Sequence, residues 1–248
     1  MNRTADAIIV GAGVIGSAVA FELAKRGYKT LNIDKLPTSG YGSTSNSCAI
    51  VRAHYSTWDG VAMAYEGFFY WDDWDDYIGV KDDRGMIKYM KTGSILFKLE
   101  GEDHSSKCLK LFKEIGVEHE IWDLEKLKEM IPIYSHDQYD GTTRPDEDDH
   151  FWDKTGKKIE GAVYTPGSGY VSDPQLTSHN LQVAAEANGG EFLFNSEITE
   201  IRQQNGRVAG VTLKSGEQID SPILVNVAGP HSFVINRMAD VEKEMNIK

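Results

Sequence analysis

The hydrophobic pattern opens with an apolar run, Ala7 to Val10, that predicts a strand close to the start of the sequence. A glycine turn, an amphipathic stretch and a second strand ending on Asp34 follow, so Ala7 to Asp34 reads as strand, turn, helix, strand. The pattern then stops. Pro37 to Ser56, PTSGYGSTSNSCAIVRAHYS, is rich in glycine and serine and reads as a loop offering hydroxyl and backbone donors. Helical spacing returns from Asp59 to Ile78, where Val61, Ala64, Phe68, Trp71 and Ile78 mark one face. The aromatics there, Trp74 and Tyr77 included, read as core rather than as a cofactor cage.

From Lys91 the character changes. TGSILFKLEG predicts a strand and Asp103 to Ile115 a helix; Asp123 then caps a short helix that Pro132 stops. Ser135 to Lys154 is polar and acidic, with DEDDH at Asp146 to His150. Its histidines and aspartates can be drawn as a metal site, but no ligand spacing stands out, and a solvated insertion is the better reading. Strong patterning resumes at Ala162. VYTPGSGYVS gives strand and turn, and Asp173-Pro174 gives the N-cap and first residue of a helix closed by Gly189-Gly190. EFLFN, EITEIRQQ and RVAGVTL give three strands, with a turn at Asn205-Gly206, and Ser221 to Pro230 reads as a buried strand ending in a tight turn at Ala228-Gly229.

A chain of 248 residues, 40% hydrophobic, has material for one or two domains. The net charge of −12 argues against nucleic acid or an anionic membrane surface as partner. Two cysteines, Cys48 and Cys108, make neither a disulfide framework nor a metal cluster and fit a reducing compartment. The first strand begins too soon to leave room for a signal peptide, and no apolar run nears the roughly 18 residues that span a bilayer. The expectation is a soluble, cytoplasmic protein.

The chemistry concentrates in the opening unit. In G-x-G-x-x-G, Gly11 permits the tight turn, Gly13 lets backbone approach a pyrophosphate, and Gly16 lets the helix pack close to the strand. The anion belongs at the helix N-terminus, and Asp34 lies where an acid meets ribose hydroxyls. The competing reading is a glycine-rich turn in a plain βαβ unit, with Asp34 a surface acid.

Taken in order, VGAGVIG, Asp34, GSTSNSCAIVRAHY, KTGSILF, GSGYVSDPQL and VNVAGP resemble the D-amino-acid oxidase superfamily of flavoproteins, in particular its sarcosine oxidase and dimethylglycine dehydrogenase group. The resemblance runs from Ala7 to Gly229. It implies an α/β fold: a Rossmann-like FAD-binding domain of glutathione-reductase-2 type, discontinuous over 1–90 and 162–232. A partial α+β substrate domain is expected over 91–161, and 233–248 would begin a C-terminal part that the chain lacks.

It also implies roles. Gly11, Gly13, Val14, Ile15 and Gly16 would hold the FAD pyrophosphate, and Asp34 with Lys35 the ribose end. Ser43, Ser45, Cys48 and Ala49 fall in the segment that wraps the ribityl chain and ring edge. Ile198 falls where backbone groups hold adenine, and Ala228 and Gly229 match a second close approach to the cofactor. Arg52 matches an arginine that pairs with the substrate carboxylate, although a structural carboxylate partner is the alternative. Cys48 reads as a small buried loop residue rather than a flavin attachment point. His54 and His231 carry little weight as ring neighbours.

Relatives that tether FAD use a histidine in this loop; Ser43 to Ser47 contain none, so FAD is expected to be non-covalent. The implied reaction is oxidation of the C–N bond of a small, N-methylated amino acid by hydride transfer to flavin. Its partners would be a small carboxylate-bearing amine and a second polypeptide, or a second copy, completing the fold. The competing readings are a non-catalytic FAD-binding subunit or fragment of a split enzyme, and a nicotinamide-dependent dehydrogenase, which has no use for the late hairpin.

Overall fold

The computed structural model describes residues 3–139, 144, 146–147 and 152–241. They fall into two compact units: Met1–Ala49, Asp73–Lys88 and Val171–Lys248 form one, and Ile50–Asp72 with Tyr89–Tyr170 the other.

The first unit is built on a parallel sheet ordered Glu191–Leu193, Thr30–Ile33, Ala7–Val10, Leu224–Asn226. All four residues of each of its two central strands are buried; Ala7–Val10 is accordingly an apolar run, whereas Thr30–Ile33 carries Thr30 and Asn32 among its buried positions. Alternation divides them. Ile8, Val10, Leu31 and Ile33 face a second sheet and pack on Ile198, Ile201, Val211, Leu213 and Ile219. That second sheet runs Arg3–Thr4, Gln218–Asp220, Arg207–Leu213, Ile198–Gln204. Its hairpin turns at Asn205 and Gly206, both at positive φ as a two-residue turn requires. The helices Val14–Lys25 and Pro174–Ala187 pack on one another; Asp173 Oδ1 accepts from Leu176 N at 2.9 Å and caps the second.

Leu224–Asn226 was expected to be buried but is half-buried. It pairs with Ala7–Val10 on one side and forms the sheet's edge among the described residues. The helix Ser232–Met238 sends Ile235 into the core between the two sheets, so residues 233–238 pack within this unit.

The single helix expected over Asp59–Ile78 is two, Trp58–Asp72 and Trp74–Ile78, and the unit boundary falls between them. Asp73 leaves helical geometry at φ −103°, ψ 38°, where Asp72, Asp73, Asp75 and Asp76 crowd like charges that disfavour a continuous helix. The second helix belongs to the first unit: Trp74 Nε1 donates to Asn180 Oδ1 at 3.1 Å, and Tyr77 meets Phe21 edge-on.

Asn180 also donates to Asp82 Oδ2, which His179 Nδ1 contacts too, so one buried carboxylate ties the 82–87 segment to a helix. Burial opposes the charge on Asp82, but hydrogen bonds from His179, the Arg84 N–H and Asn180 outweigh it and hold the carboxyl below its usual range. Its stabilisation is therefore present above the ordinary aspartate pKa of about 3.9 and is lost as pH falls through the lower folded value. Asp82→Asn should cost about 1–3 kcal/mol at neutral pH and shrink the loss of stability on acidification. Thermal melts from neutral to acid pH test this, and parallel acid limbs in the two proteins would refute it.

The second unit carries an antiparallel sheet ordered Ser94–Leu99, Lys154–Thr165, Glu120–Asp123, with Asp137–Tyr139 pairing the outer end of the long strand. Ala53, Val61 and Phe68 pack with Phe112 and Val163, which is why residues 50–72 join this unit and not, as expected, the cofactor domain. Residues 162–170 join it for a similar reason, since Val163 and Tyr164 pair with both flanking strands.

Lys154–Thr165 starts eight residues before the patterning that announced it. Its outer half is exposed and held by Asp137, which pairs with Lys154 and Lys158 instead of by apolar alternation. Part of the expected polar insertion is thus a hairpin strand; Asp148, Asp149 and His150 lie outside the described residues. Among the described residues no helix is long and apolar enough to cross a membrane.

Candidate functional site: a dinucleotide turn and an exposed guanidinium

Gly11 sits at φ +106°, and a Cβ there would lie 2.5 Å from the Val227 carbonyl oxygen, so a side chain is excluded by conformation and by space. At Gly16 a Cβ would lie 1.8 Å from the Gly11 carbonyl oxygen, which makes this the point where helix meets turn. The helix begins at Val14 with no acid in its first turn. Val14 N donates to Thr44 Oγ1 at 3.1 Å, and the first helical bond comes from Ser17 N to Gly13 O. Among the described residues the N–H groups of Gly13, Ile15 and Gly16 donate to nothing. Three free donors at the positive end of a twelve-residue helix form an anion cradle. Ile15 beside it is 65% exposed.

Asp34 ends its strand with both oxygens in use: Oδ2 accepts from Ala12 N at 2.7 Å and Oδ1 from Leu36 N at 2.9 Å. The acid braces the glycine turn, and each oxygen retains lone-pair capacity for a hydroxyl. Lys35 is exposed and lines a cleft of about 420 Å³ with Leu36, Asn195, Ser196, Glu197 and Lys214. Backbone bonds from Asn195 N to Leu36 O and from Ser196 N to Asp34 O join the two segments that meet at it. Ile198 follows directly but buries its side chain in the core, so only its backbone is available to a ligand.

The serine-rich loop is tied to the turn by Gly40 N donating to Ala12 O and by Thr44. Ser45 Oγ is bonded within the loop, to Tyr41 O and Gly42 O, while Ser43 is exposed. Cys48 is exposed, contrary to the expected buried residue, as are Asn46, Ser47 and Ile50 around it; the chain turns at Ala49, which adopts φ +55° and is itself buried. Ala49 O accepts from Val171 N. At the far turn Asn226 Oδ1 accepts from Ala228 N, and Asn226 Nδ2 donates to Ser232 O, bracing Ala228 and Gly229. His231 is exposed.

Sequence reasoning missed Thr44 and Asn226. The signal for Thr44 was the glycine at the N-cap position: a helix without a local cap needs a hydroxyl from elsewhere, and the GSTSNS loop is rich in them.

In the second unit Arg52 is exposed. Its Nη1 donates to the His54 carbonyl oxygen at 3.0 Å, and its Cζ lies 5.6 Å from the Tyr55 ring centroid. Among the described residues it has no carboxylate partner, so the structural pairing considered above is absent there.

The residues of the first unit fit FAD: an acid-free helix start with free donors, backbone packed too tightly for Cβ atoms, and an acid at the next strand end. Comparison with known proteins agrees. A profile of the family described as FAD dependent oxidoreductase, DAO, matches residues 6–247. A glycerol 3-phosphate dehydrogenase of Caloramator mitchellensis is 25% identical over 96% of this chain and 44% of its own length. The sarcosine oxidase subunit beta of Rhodobacter capsulatus is 26% identical over 94% of this chain and 52% of its own. Among solved structures, L-proline dehydrogenase from P. horikoshii superposes with a TM-score of 0.78 at 21% identity, over 98% of this chain and 57% of that one. The chain thus spans about half the length of these relatives. With a match over nearly all its residues, it belongs to the DAO family of FAD-dependent oxidoreductases, and its cofactor is FAD.

Proposed function

We infer that the chain is the FAD-binding portion, with part of the substrate-binding portion, of an enzyme that oxidises the C–N bond of a small, N-methylated amino acid. Gly13, Ile15 and Gly16 would hold the pyrophosphate through their free N–H groups, Asp34 and Lys35 the ribose end, and the Ile198 backbone the adenine. Ser43, Ala49, Ala228 and Gly229 are the proposed neighbours of the rest of the cofactor, held without a covalent bond. When bound, FAD supplies the hydride acceptor, and the substrate's C–N bond becomes a C=N bond that water hydrolyses.

The observation that carries the substrate class is Arg52. A guanidinium with one N–H on a backbone carbonyl and, among the described residues, no carboxylate partner keeps the rest of its fork for an external anion. A carboxylate matches that planar fork in two points, orienting the molecule that bears it. The relatives' names include substrates with a phosphate instead, so the test uses both. Isothermal titration of the FAD-loaded chain should show N-methylglycine binding and glycerol 3-phosphate binding more weakly. Arg52→Ala should weaken N-methylglycine about 10- to 100-fold, the loss of a charged hydrogen-bonding pair, with Arg52→Lys in between. Wild-type affinity in both variants, or tighter binding of the phosphate, would remove the amino-acid reading.

A further inference from the structure

His54 is a buried titratable group that the proposed reaction does not use, and it stands in an unusual setting. Three hydroxyls converge beside it, and two of their residues are fully buried. Its Nε2 lies 3.0 Å from Thr165 Oγ1 and 3.3 Å from Ser94 Oγ. Thr165 Oγ1 in turn lies 2.9 Å from both Ser94 Oγ and Ser168 Oγ. The imidazole is therefore keyed in place by groups from two paired strands and the turn that follows, Ser94 and Thr165 being direct cross-strand partners. Its other face meets Phe112, with ring centroids 6.0 Å apart.

What this anchoring fixes is the main chain. Arg52 to Tyr55 belong to no helix or strand, so no ladder sets the direction of the His54 carbonyl. Its neighbours are held individually: Tyr55 N donates to Ala53 O at 2.9 Å, and Cys108 Sγ to Tyr55 O at 3.3 Å. The His54 carbonyl is the one described acceptor for the Arg52 guanidinium. A guanidinium is planar, so holding one N–H on an acceptor, with Cζ near the Tyr55 ring, restricts the directions open to the other four.

We propose that His54 is a positioning residue for Arg52: its ring, locked by the Thr165–Ser94–Ser168 hydroxyls, holds the carbonyl that aims the guanidinium at a carboxylate. The role requires a neutral ring, because a second cation beside Arg52 would repel it. Burial, followed by the charges of Arg52 and His104, pushes His54 down to about 4, which keeps it neutral. The proposal rests on the reading that Arg52 binds a carboxylate, but its geometric half stands apart from that reading and is tested separately.

The experiment uses the full chain loaded with FAD and labelled with ¹⁵N-arginine. The Arg52 Nε–H resonance is assigned by its loss in Arg52→Lys. His54→Phe keeps ring volume and the Phe112 contact, and the three hydroxyls still satisfy one another, so this variant should fold. Expected is a shift of the Arg52 signal toward that of free arginine without any ligand, together with about tenfold weaker N-methylglycine binding, the scale of one lost orienting contact. Dimethylamine, which lacks the carboxylate, should bind as before. His54→Gln, which restores a polar group facing Thr165, should recover both signals, and Thr165→Val should reproduce the defect through a residue that does not touch Arg52.

An unchanged Arg52 resonance in His54→Phe overturns the proposal, as does failure of His54→Gln to recover it while remaining folded. Should His54→Phe not fold, Thr165→Val decides by the same resonance. If the resonance moves but Arg52→Ala binds N-methylglycine as well as wild type, the positioning stands and the carboxylate reading falls.

Discussion

Gly16→Ala is expected to abolish FAD binding and to lower the melting temperature by about 6–12 °C, the shift that an overpacking cost of about 3 kcal/mol produces in a chain of this size. The new methyl would lie 1.8 Å from the Gly11 carbonyl oxygen and 3.2 Å from Val227 Cγ2. The nearest clash is with backbone, and no rotamer relieves it. The helix would have to slide off the turn, taking the free N–H groups of Ile15 and Gly16 with it. Gly13→Ala separates cofactor binding from folding. Gly13 has φ −71°, ψ −179°, which any residue adopts, and its Cβ would meet only Thr44 Oγ1, at 3.2 Å, a side chain able to turn aside. That variant should melt within a few degrees of wild type yet bind FAD about 10- to 100-fold more weakly, because the methyl intrudes where backbone must approach the pyrophosphate. Fluorescence quenching on titrating FAD, paired with thermal melts, measures both. Wild-type FAD affinity in Gly13→Ala would remove the anion from this helix start.

These contrasts explain which parts of the fold were legible in the sequence. Ala7–Val10 is buried on both faces and wholly apolar, so composition alone marks it as a strand. Thr30–Ile33, equally buried, carries Thr30 and Asn32 and is marked by its place after the glycine turn and the helix. Asp173-Pro174 and Asn205-Gly206 were legible because capping and turning need those residue types whatever surrounds them. Gln218–Asp220 and the outer half of Lys154–Thr165 were not legible. Gln218–Asp220 has one buried apolar side chain, Ile219, and is too short to show a period. The outer half of the long strand is held by main-chain pairing and by Lys154 and Lys158 on Asp137, so no apolar alternation marks it. The break at Asp73 was hidden because helical periodicity is nearly continuous across it; the change of packing partners on either side is tertiary. The site divides in the same way. The glycines announce themselves because their role is local, whereas Thr44 caps a helix thirty residues earlier in the chain and His54 acts through partners on Ser94 and Thr165.

Asp34→Ala is expected to weaken FAD binding by about 1–3 kcal/mol, the scale of a lost hydrogen bond to a charged group, which is roughly 5- to 150-fold. Part of that loss is indirect. Asp34 accepts from Ala12 N and Leu36 N, so removing it loosens the turn as well as any ribose contact. Asp34→Asn offers no shelter, because its amide would set a donor against one of those two backbone donors. The direct share is isolated by a double-mutant cycle, with ADP and its 2′,3′-dideoxy analogue as ligands. If Asp34 receives a ribose hydroxyl, wild type should prefer ADP and Asp34→Ala should lose most of that preference. If the acid only braces the turn, both ligands should weaken by the same factor and the preference should survive. A wild-type chain indifferent to the ribose hydroxyls would leave Asp34 a structural acid. In that case the hold on the adenosine end would have to come from Lys35 and the other walls of the cleft beside it.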